Sequence, residues 1–377
     1  MDSIPFNWPK TVGRELEYLS AAATSGHLAG DGPFTKRCEA FLQQHTGAGR
    51  ALLTTSCTHA LEMSALLLDI GPGDEVIVPA FTFVSTINAF VLRGATPVFA
   101  DIRPDTLNID ERQLPGLITP RTKAVVVVHY AGIGCEMDAI LAATSKAGVT
   151  IVEDNAHGLM GRYKGRPLGS FGAMATLSFH DTKNFTCGEG GALLLNAPGL
   201  AERAEILREK GTNRSRFFRG QVDKYTWVDL GSSYVPSEML AAFLQGQLEA
   251  FETIQANRQR VFTAYASGLA SWARQNGATL PQVPAGCDPA WHMFYLLLPD
   301  LTARTRFIAH LKSQQIHSVF HYLPLHLAPA AARWASRQGP CPVTENVSDR
   351  LVRLPFFTTM TPETQSRVID AVLSFRP

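Results

Sequence analysis

A lysine and a tight glycine turn follow a strand-like run in the middle of the chain. The run Ala175–Phe179 leads to Lys183, and Gly188–Gly191 comes shortly after it. An amine at the carboxyl end of a strand can form a Schiff base with an aldehyde, and burial or a cationic neighbour lowers its pKa and frees it to react. On this segment alone, an ordinary solvated loop lysine is the alternative interpretation.

A carboxylate stands in a comparable position one strand earlier. The apolar run Thr150–Glu153 is followed directly by Asp154. A carboxylate there could pair with a pyridinium nitrogen and keep it protonated, which makes the ring the electron sink that pyridoxal phosphate (PLP) chemistry requires. A helix cap or a structural ion pair is the alternative role for Asp154.

Small hydroxyl residues follow another apolar stretch and precede a helical pattern. The segment Leu53–Leu61 contains Ser56, Cys57 and Thr58 before the apolar face of that helix begins. Free backbone N–H groups and hydroxyls at a helix start attract an anion, and a cofactor phosphate would fit there. Ordinary capping by Ser56 or Thr58 is the alternative.

Two aromatic residues follow the strand-like run Glu75–Pro79. Phe81 and Phe83 stand where one ring could stack on a flat heterocycle. Core packing is the commoner fate of a phenylalanine. A phosphate turn, an aromatic, an aspartate and a lysine therefore follow one another along the chain, and this order supports a PLP site better than any one of them does.

The elements that must position these residues are short apolar runs separated by helical patterns. They are rich in Val, Ile, Leu and Phe, which predicts strands buried on both faces of a parallel sheet covered by helices. Ligand chemistry in such sheets gathers at the carboxyl ends of the strands. The predicted strands are Glu75–Pro79, Pro97–Ile102, Ala124–His129, Thr150–Glu153, Ala175–Phe179 and Gly191–Leu195.

The length of 377 residues favours two domains. A long helical pattern runs from Ser237 to about Trp272, with a capping hydroxyl and an early acid at its start, and such a helix could link the domains. Past Ala285, the strand-like runs MFYLLLP and HSVFHYLP lie among helical segments. We therefore expect a large domain over residues 1–250 and a smaller α+β domain over residues 251–377.

Composition argues against several classes of protein. The formal net charge is +1 and no run of like charges occurs, so nucleic-acid binding is not expected. The start MDSIPFNWPK lacks the pattern of a secretory signal, and no apolar run approaches the roughly 20 residues of a membrane-spanning helix. The six cysteines are scattered without a C-x-x-C pair. A cytoplasmic protein with reduced thiols and no metal site is therefore expected.

The motifs together resemble the DegT/DnrJ/StrS family of sugar aminotransferases, and the resemblance covers nearly the whole chain. It implies the fold-type I architecture of PLP-dependent aminotransferases. That architecture has a large α/β domain, with a mostly parallel sheet flanked by helices, and a smaller C-terminal α+β domain. It also implies a homodimer with shared active sites. The segments that carry it are Ile4–Asn7, Gly30–Thr35, His129–Gly132, Glu153–Asp154, Ser178–Asn184 and Glu189–Gly191.

The family pattern assigns roles by position. The resemblance implies that Lys183 holds the cofactor through a Schiff base and shuttles protons, while Asp154 binds the pyridine nitrogen. The other cofactor-binding positions that it implies are Cys57, Thr58 and Ser178 at the phosphate, Phe83 above the ring, Ala156 beneath the ring and His157 near the phenolic oxygen.

A narrower likeness lies in the blocks Arg208–Ser215 and Phe217–Trp227. They resemble a subgroup that uses glutamate to aminate C4 of dTDP-4-keto-6-deoxyglucose, giving dTDP-4-amino-4,6-dideoxygalactose for enterobacterial common antigen. Basic side chains here suit a diphosphate, although a solvated basic loop is the alternative. The candidate substrate residues are Lys210, Arg214, Arg219 and Tyr225, with His321, His326 and Arg353 as weaker candidates from the C-terminal domain.

One position departs from the common family pattern. Many members carry an asparagine directly after the tyrosine that matches Tyr234, and it reaches the cofactor phosphate of the neighbouring subunit. This chain has Val235 there. Ser232 or Ser233 could supply that contact, so the departure concerns the phosphate site and not the reaction.

Other functions remain open to different degrees. Related sugar dehydratases replace the lysine with histidine, so Lys183 argues against them. Amination at C3, or of another cyclic ketone, is hardly excluded by the motifs. A non-catalytic regulator that binds a nucleotide sugar is disfavoured by the intact pair of Lys183 and Asp154. A nicotinamide enzyme is disfavoured because no G-x-G-x-x-G follows an early strand.

Overall fold

The computed structural model describes residues 2–335, 337–338 by their backbone, and 340–376. Within these ranges no helix is both long and apolar enough to cross a membrane. The strands are β1 (Arg50–Thr54), β2 (Glu75–Pro79), β3 (Thr96–Ala100), β4 (Thr122–Val128), β5 (Thr150–Asp154), β6 (Arg162–Tyr163), β7 (Arg166–Pro167), β8 (Met174–Ser178), β9 (Gly191–Leu195), β10 (Cys287–Asp288), β11 (Tyr295–Leu297), β12 (Val319–Phe320), β13 (Arg337–Gln338) and β14 (Leu351–Arg353).

The helices alternate with these strands in the first half of the chain and dominate the second half. They are α1 (Glu15–Thr24), α2 (Pro33–Thr46), α3 (Cys57–Leu67), α4 (Ser85–Val91), α5 (Leu114–Leu117), α6 (Met137–Ala147), α7 (Leu200–Arg208), α8 (Arg214–Phe218), α9 (Glu238–Glu249), α10 (Phe251–Gln275), α11 (Leu301–Ser313), α12 (Pro329–Trp334), α13 (Pro342–Arg350) and α14 (Pro362–Ser374).

The large sheet has the strand order β1-β9-β8-β5-β4-β2-β3-β13. All six strands predicted from the sequence are present in it, so the α/β fold with a mostly parallel sheet is confirmed. The expectation of parallel pairing was wrong for β9, which runs antiparallel to both β1 and β8. The chain between β8 and β9 contains no crossover helix, so it turns back beside the strand that it has just left. The sequence analysis did not identify β1 as a strand.

Side chains on both faces of the sheet are buried, as the apolar runs predicted. On β4, Val126 belongs to the core beneath α3 and α4, whereas Val125 and Val127 belong to the core beneath α6. A third core joins Leu53 and neighbouring strand residues to α1, α2 and α9. Helices therefore cover both faces, and the strand ends are the part of the sheet left open to a ligand.

The strand register brings several carboxyl ends to one edge. The pairing aligns Val128 with Asp154, and Asp154 with Thr176. Gly191, at the start of antiparallel β9, faces Ser178 on one side and Thr54 on the other. The residues that follow β1, β2, β5 and β8 therefore converge on one edge of the sheet.

The long helix expected from Ser237 to Trp272 is divided into α9 and α10 at Ala250. The helix begins where it was predicted, with Ser237 before its first residue Glu238, but the hydroxyl of Ser237 makes no capping hydrogen bond. Glu238 instead accepts hydrogen bonds from the backbone of Gly32, Phe34 and Thr35, at 3.1, 2.8 and 3.0 Å. The carboxylate thus caps the start of α2, and a tertiary contact replaces the local cap.

The C-terminal part of the chain builds a second, smaller sheet. Strands β11, β14 and β12 pair antiparallel in that order. Their core includes Tyr265, Phe294, Phe307 and Val368, and Ile4 from the N-terminal segment joins it. The chain thus combines a large, mostly parallel sheet with a smaller antiparallel one.

One stretch of the C-terminal part returns to the large sheet. Strand β13 pairs with β3, aligning Arg337 with Val98. The carboxylate of Asp101 accepts hydrogen bonds from the backbone of Val343 and Thr344, at 2.9 and 2.8 Å. The two parts of the chain are therefore interleaved, and the domain boundary between residues 250 and 251 stays a prediction.

Candidate active site

A cavity of about 620 Å³ lies at the carboxyl edge of the large sheet. This volume is typical of a site for a cofactor or small ligand. The C-terminal part contributes to its wall through His292, His321, Tyr322 and Arg353. All eight predicted cofactor residues also line it: Cys57, Thr58, Phe83, Asp154, Ala156, His157, Ser178 and Lys183.

The start of α3 supplies the anion-binding end of the cavity. Ser56 caps the helix, and its hydroxyl accepts from the backbone N–H of His59 at 3.1 Å. The next N–H groups, those of Cys57 and Thr58, have no acceptor within the helix because they belong to its first turn. Ser178 lies beside them at the end of β8. This arrangement suits a phosphate group.

Gly191 allows β9 to run against the start of α3. A Cβ atom at Gly191 would lie 2.3 Å from the carbonyl carbon of Ser56 and 2.4 Å from the nitrogen of Cys57. Both contacts are with backbone atoms, which cannot move aside as a flexible side chain can. The position therefore requires glycine, and it fixes the location of the helix start relative to the sheet.

Asp154 is buried at the end of β5 and is held in two places. Its Oδ2 atom accepts a hydrogen bond from Thr86 Oγ1 at 2.7 Å, and its Oδ1 atom accepts from the backbone of Ala156 at 3.2 Å. A second hydroxyl, that of Thr82, lies 2.8 Å from Thr86 Oγ1. Burial raises the pKa of Asp154, while the Thr86 hydrogen bond and the charge of Lys183 lower it. The carboxylate is thus oriented and needs a cationic partner.

Glu153, the residue before Asp154, is held by several hydrogen bonds. Glu153 is fully buried and accepts a hydrogen bond from Nε2 of His129 at 2.8 Å. Its carboxylate also accepts from the backbone N–H groups of Gly169, Phe171 and Gly172. These bonds fix the end of β5, and with it the direction in which the neighbouring Asp154 points.

Lys183 lines the same cavity as Asp154, and the charges of the two groups interact. The backbone N–H of Lys183 donates to the carbonyl of His180 at 2.9 Å, which closes the turn after β8. The pKa of Lys183 is lowered to about 8, chiefly by burial and also by the charge of Arg353, whereas Cys57 and Asp154 oppose the shift. About a tenth of the amine is therefore unprotonated at pH 7, far more than for an ordinary lysine, and able to act as a nucleophile.

Three neutral histidines form one wall of the cavity. The rings of His157 and His292 are stacked at a centroid distance of 4.1 Å, and His321 lies 2.9 Å from the hydroxyl of Tyr130. Burial holds the pKa of each histidine well below its usual value, and the charge of Lys183 acts in the same direction. Nδ1 of His157 is buried without a hydrogen-bond partner among the described residues. A ligand atom could supply that partner.

Phe83 lies at the mouth of the cavity and is 56% exposed. Its ring centroid is 6.3 Å from that of Tyr322. Phe81, the other aromatic considered from the sequence, is buried and packs edge-on against Tyr130. Of these two phenylalanines, Phe83 is therefore the one placed where its ring could stack on a ligand.

The basic residues predicted to bind the substrate line a different cavity. It has a volume of about 720 Å³ and shares no lining residue with the first. Lys210, Arg214 and Arg219 line it, as do Ser233 and Val235. Within one chain, the structure thus does not bring the basic block to Lys183.

Two other predicted substrate residues also lie apart from the first cavity. Tyr225 is 53% exposed, and its ring packs against Phe217. His326 is buried, with its Nε2 atom 3.0 Å from Glu345. Of the predicted substrate residues, His321 and Arg353 line the cavity with Lys183. The roles of the others stay predictions.

Several residues of the cavity were not identified from the sequence. Among them are His292 and Tyr322, and Thr86, which donates a hydrogen bond to Asp154 at the cavity wall, was missed as well. Thr86 stands in the pattern P-x-x-T-x-V-S-T that begins at Pro79, and this pattern was the available signal. His292 directly precedes the run MFYLLLP, but no local pattern points toward a site in a distant part of the chain.

The residues of the cavity fit pyridoxal phosphate. An amine with a lowered pKa could bind the aldehyde, and a buried carboxylate could pair with the ring nitrogen. The helix start could hold the phosphate, and the unpartnered nitrogen of His157 could meet an oxygen on the ring. A single cavity therefore offers a partner for each polar group of the cofactor.

Comparison with known proteins identifies the family. Residues 9–373 match the DegT/DnrJ/EryC1/StrS aminotransferase family. The chain is 33% identical over 377 residues to the spore coat polysaccharide biosynthesis protein SpsC of Bacillus subtilis, covering 98% of this chain and 96% of SpsC.

Solved structures agree with this assignment. The aminotransferase TlmJ from Streptoalloteichus hindustanus is 30% identical with a TM-score of 0.91, covering 99% of this chain and 98% of TlmJ. Spr1654 from Streptococcus pneumoniae, assigned as a sugar aminotransferase and solved in a PLP form, is 27% identical with a TM-score of 0.90, covering 99% of this chain and 98% of Spr1654. The protein described here therefore belongs to the DegT/DnrJ/EryC1/StrS family and is a PLP-dependent aminotransferase.

Proposed function

We propose that this enzyme transfers the amino group of L-glutamate to C4 of a nucleotide-linked keto sugar. The proposed acceptor is dTDP-4-keto-6-deoxyglucose, and the product is dTDP-4-amino-4,6-dideoxygalactose. The observation that carries the transamination is that the Lys183 amine, with its lowered pKa, and the buried Asp154 carboxylate line one cavity. The choice of C4 and of the sugar is supported by the likeness of Arg208–Trp227 to the subgroup with that activity.

The names of relatives support a sugar as the acceptor. SpsC is named for polysaccharide biosynthesis, and Spr1654 is assigned as a sugar aminotransferase. A wall of neutral histidines and Tyr322 also suits a polyhydroxylated ring, because these groups can donate and accept hydrogen bonds without carrying charge.

When it is bound, pyridoxal phosphate supplies the carbonyl group and the electron-withdrawing ring that let an amino group leave one substrate and join the next. Asp154 holds a positive charge at the ring nitrogen, and Thr86 keeps that carboxylate in place. Lys183 moves protons with its Nζ atom: it removes the α-proton of glutamate in the first half of the reaction. It returns a proton to C4 of the sugar in the second half. A pKa of about 8 suits this dual role, because both protonation states are accessible near neutral pH.

The basic block is proposed to bind the diphosphate of the nucleotide sugar. Lys210, Arg214 and Arg219 are each about half exposed, and each lies near Glu205 or Glu209. Because they line a cavity separate from that of Lys183, we infer that they serve the active site of a second subunit. Exposed apolar side chains beside the block, at Phe218 and Trp227, suit such a subunit contact. The proposed enzyme is thus a homodimer with shared sites.

The test begins with the absorbance of the purified enzyme reconstituted with pyridoxal phosphate. The protein is expected to be yellow and to lose that colour with excess L-glutamate as the bound cofactor takes up the amino group. Lys183→Ala is expected to lose both signals. Lys164→Ala is the matched control, because Lys164 is exposed and paired with Asp138 on the surface.

The acceptor is tested in a second step. The glutamate-treated enzyme is mixed with dTDP-4-keto-6-deoxyglucose, and the product is analysed by mass spectrometry and by NMR. An axial amino group at C4, the galactose configuration, is the expected result. Amination at C3, an equatorial amine, or no reaction with this sugar would contradict the proposed acceptor. Failure of glutamate to discharge the colour would contradict the proposed donor.

A further inference from the structure

Arg353 introduces a positive charge into the active-site cavity from the C-terminal part of the chain. It is the last residue of β14 and lines the cavity together with His321 and Tyr322. Its guanidinium lies over the ring of Phe6, 4.6 Å from the centroid. The aromatic ring covers one face of the guanidinium, so the group is held in place on its apolar side while its N–H groups remain to be bonded.

This guanidinium has no acidic partner among the residues that the structure describes. Its Nε atom is buried and makes no hydrogen bond. Two carboxylates line the same cavity, those of Asp154 and Glu189, and neither forms an ion pair with Arg353. Burial lowers the pKa of Arg353, so the protein around it disfavours the charge that it carries.

Other buried arginines of this chain are treated differently. Arg208 is paired with Glu39 and Asp31. Arg258 donates to the carbonyl groups of Trp291 and His292, at 2.9 and 2.5 Å. A buried cation is costly unless a charge or several hydrogen bonds compensate it. Arg353 thus has the features of a group whose partner is an anionic ligand.

The surroundings of Arg353 narrow the choice of anion. Its charge acts on Lys183 and on the three neutral histidines of the wall. The cofactor phosphate already has a site at the start of α3, supplied by Cys57 and Thr58. Two anions then remain, a carboxylate of the amino donor and the diphosphate of the nucleotide sugar. The α-carboxylate is bonded to the same carbon that exchanges its proton with Lys183, whereas the diphosphate is attached at C1, across the sugar ring from C4.

We propose that Arg353 binds the α-carboxylate of the amino-acid donor and thereby orients its α-carbon toward Lys183. This inference rests on the proposed function, since it requires an α-amino acid as donor. Two N–H groups of a guanidinium match the two oxygens of a carboxylate, which gives orientation as well as affinity. Arg353 would release the donor product and leave the cavity open to the sugar in the second half of the reaction.

The decisive experiment measures the donor and acceptor separately. Arg353→Gln and Arg353→Lys are compared with the wild type in the half-reaction with L-glutamate, followed by the cofactor's absorbance. Arg353→Gln is expected to weaken the apparent affinity for glutamate by about ten- to a hundredfold, the range for a lost charged hydrogen bond. Arg353→Lys is expected to recover part of that loss. The KM for the nucleotide sugar is expected to stay within about twofold of the wild-type value, well below the tenfold step of a lost charged contact.

A control and a cofactor-free measurement separate binding from folding. Arg350→Gln is the matched control. Arg350 is the last residue of α13, directly before the strand that carries Arg353, but it donates to the carbonyl of Leu298 and to Asn346. Glutarate is also titrated into the apoprotein by calorimetry, where it is expected to bind the wild type and Arg350→Gln more tightly than Arg353→Gln. This measurement needs neither the cofactor nor the sugar.

Two amides of glutamate identify which carboxylate is bound. As competitors of glutamate, L-glutamine keeps the α-carboxylate and L-isoglutamine lacks it. Glutamine is expected to compete with glutamate for the wild-type enzyme, and to bind Arg353→Gln or Arg353→Lys more weakly. Isoglutamine is expected to be a weak competitor for all of these enzymes. The wild-type comparison remains informative even if Arg353→Gln does not fold.

Three outcomes would overturn the proposal. They are unchanged glutamate affinity in Arg353→Gln, a raised KM for the nucleotide sugar alone, and equal competition by glutamine and isoglutamine. The second of these would assign Arg353 to the diphosphate instead. A wrong acceptor sugar leaves all of the donor measurements intact, so failure of the proposed acceptor is distinguishable from failure of the role of Arg353.

Discussion

Asp154 shows how a single residue of the site depends on neighbours that lie far away in the sequence. Its carboxylate is buried, and burial alone raises its pKa and favours the neutral form. A neutral acid could not hold a positive charge at the cofactor ring. Thr86 counteracts burial by donating to Oδ2, and Thr82 is placed to orient the Thr86 hydroxyl. The function of Asp154 therefore depends on a hydroxyl 68 residues earlier in the chain.

Replacing Thr86 tests this dependence. Thr86→Val keeps the shape of the side chain but removes the donor, so the pKa of Asp154 is expected to rise further. The acid limb of the pH profile of kcat/KM is then expected to move to higher pH, because Asp154 is protonated earlier as the pH falls. Thr86→Ser, which restores the hydroxyl, is expected to return the limb toward its wild-type position. The pH dependence of the cofactor's absorbance supplies a second readout.

A buried threonine outside the site provides the control for Thr86. Thr144 lies in α6 and donates to the carbonyl of Ile140 at 2.9 Å, so Thr144→Val removes a buried hydroxyl without touching the cavity. The pH profile of this variant is expected to match the wild type. An unshifted acid limb in Thr86→Val would show that the hydroxyl only fills space.

At the residue scale, the sequence predicted the residues that stand directly after strands. Lys183 and Asp154 could be identified because a strand end, a reactive group and a glycine turn occur together in a few positions. Thr86, His292 and Arg353 could not, because their roles depend on which parts of the chain meet across the cavity. Among these, only Arg353 had been considered, and only as a weak candidate.

At the element scale, the site depends on the close contact of β9 with the start of α3. The antiparallel direction of β9 places Gly191 at the same edge as Ser178 and Thr54. The missing side chain of Gly191 lets the backbone of Ser56 and Cys57 approach the strand. The location of the N–H groups that are proposed to bind the phosphate is therefore set by a glycine on a neighbouring strand.

Gly191→Ala is expected to displace the start of α3 and weaken cofactor binding. The new Cβ atom would lie 2.3 to 2.5 Å from backbone atoms of Ser56 and Cys57, so one of the two elements must move. A loss of stability of about 1–3 kcal/mol, the usual range for overpacking, is expected together with a raised Kd for pyridoxal phosphate. Gly116→Ala is the control, since a Cβ there meets no atom within 4 Å. Fluorescence titration with the cofactor and chemical denaturation measure the two effects, and wild-type values for Gly191→Ala would contradict the role of this contact.

The elements were predictable where their apolar pattern is continuous. Strands β2, β3, β4, β5 and β8 carry apolar residues toward both faces, and this pattern is visible without a structure. The break at Ala250 between α9 and α10 was not visible, because both helices continue the same helical pattern. The cap of α2 by Glu238 was also beyond prediction, since about 200 residues separate the donor and acceptor groups.

At the scale of the whole molecule, two groups of residues that the proposed reaction needs together lie in separate cavities of one chain. The cavity with Lys183 has the groups for the cofactor, while the basic block lines another cavity. A nucleotide sugar needs compensation for the charge of its diphosphate while its C4 atom lies at Lys183. We propose that a second copy of the chain places its basic block over this cavity and so unites the two parts.

Mixing two inactive variants tests this arrangement. One variant carries Lys183→Ala with an intact basic block, and the other carries Lys210→Ala and Arg214→Ala with an intact Lys183. If the block serves the partner's site, a hybrid dimer contains one complete site, formed by Lys183 of one chain and the block of the other. Activity with the nucleotide sugar is then expected to appear when the two are co-expressed with different tags and purified as hybrids.

The alternatives give different results in the same experiment. If the block serves the cavity of its own chain, every site in the hybrid lacks either Lys183 or the two cations, and activity stays at the level of the separate variants. Dimers purified from each variant alone supply that baseline. The glutamate half-reaction is an internal check, because it needs Lys183 but not the diphosphate contacts, and the block variant is expected to retain it. Restored activity toward the sugar in the hybrid alone would therefore assign the basic block to the neighbouring subunit, since no single chain in the mixture contains a complete site.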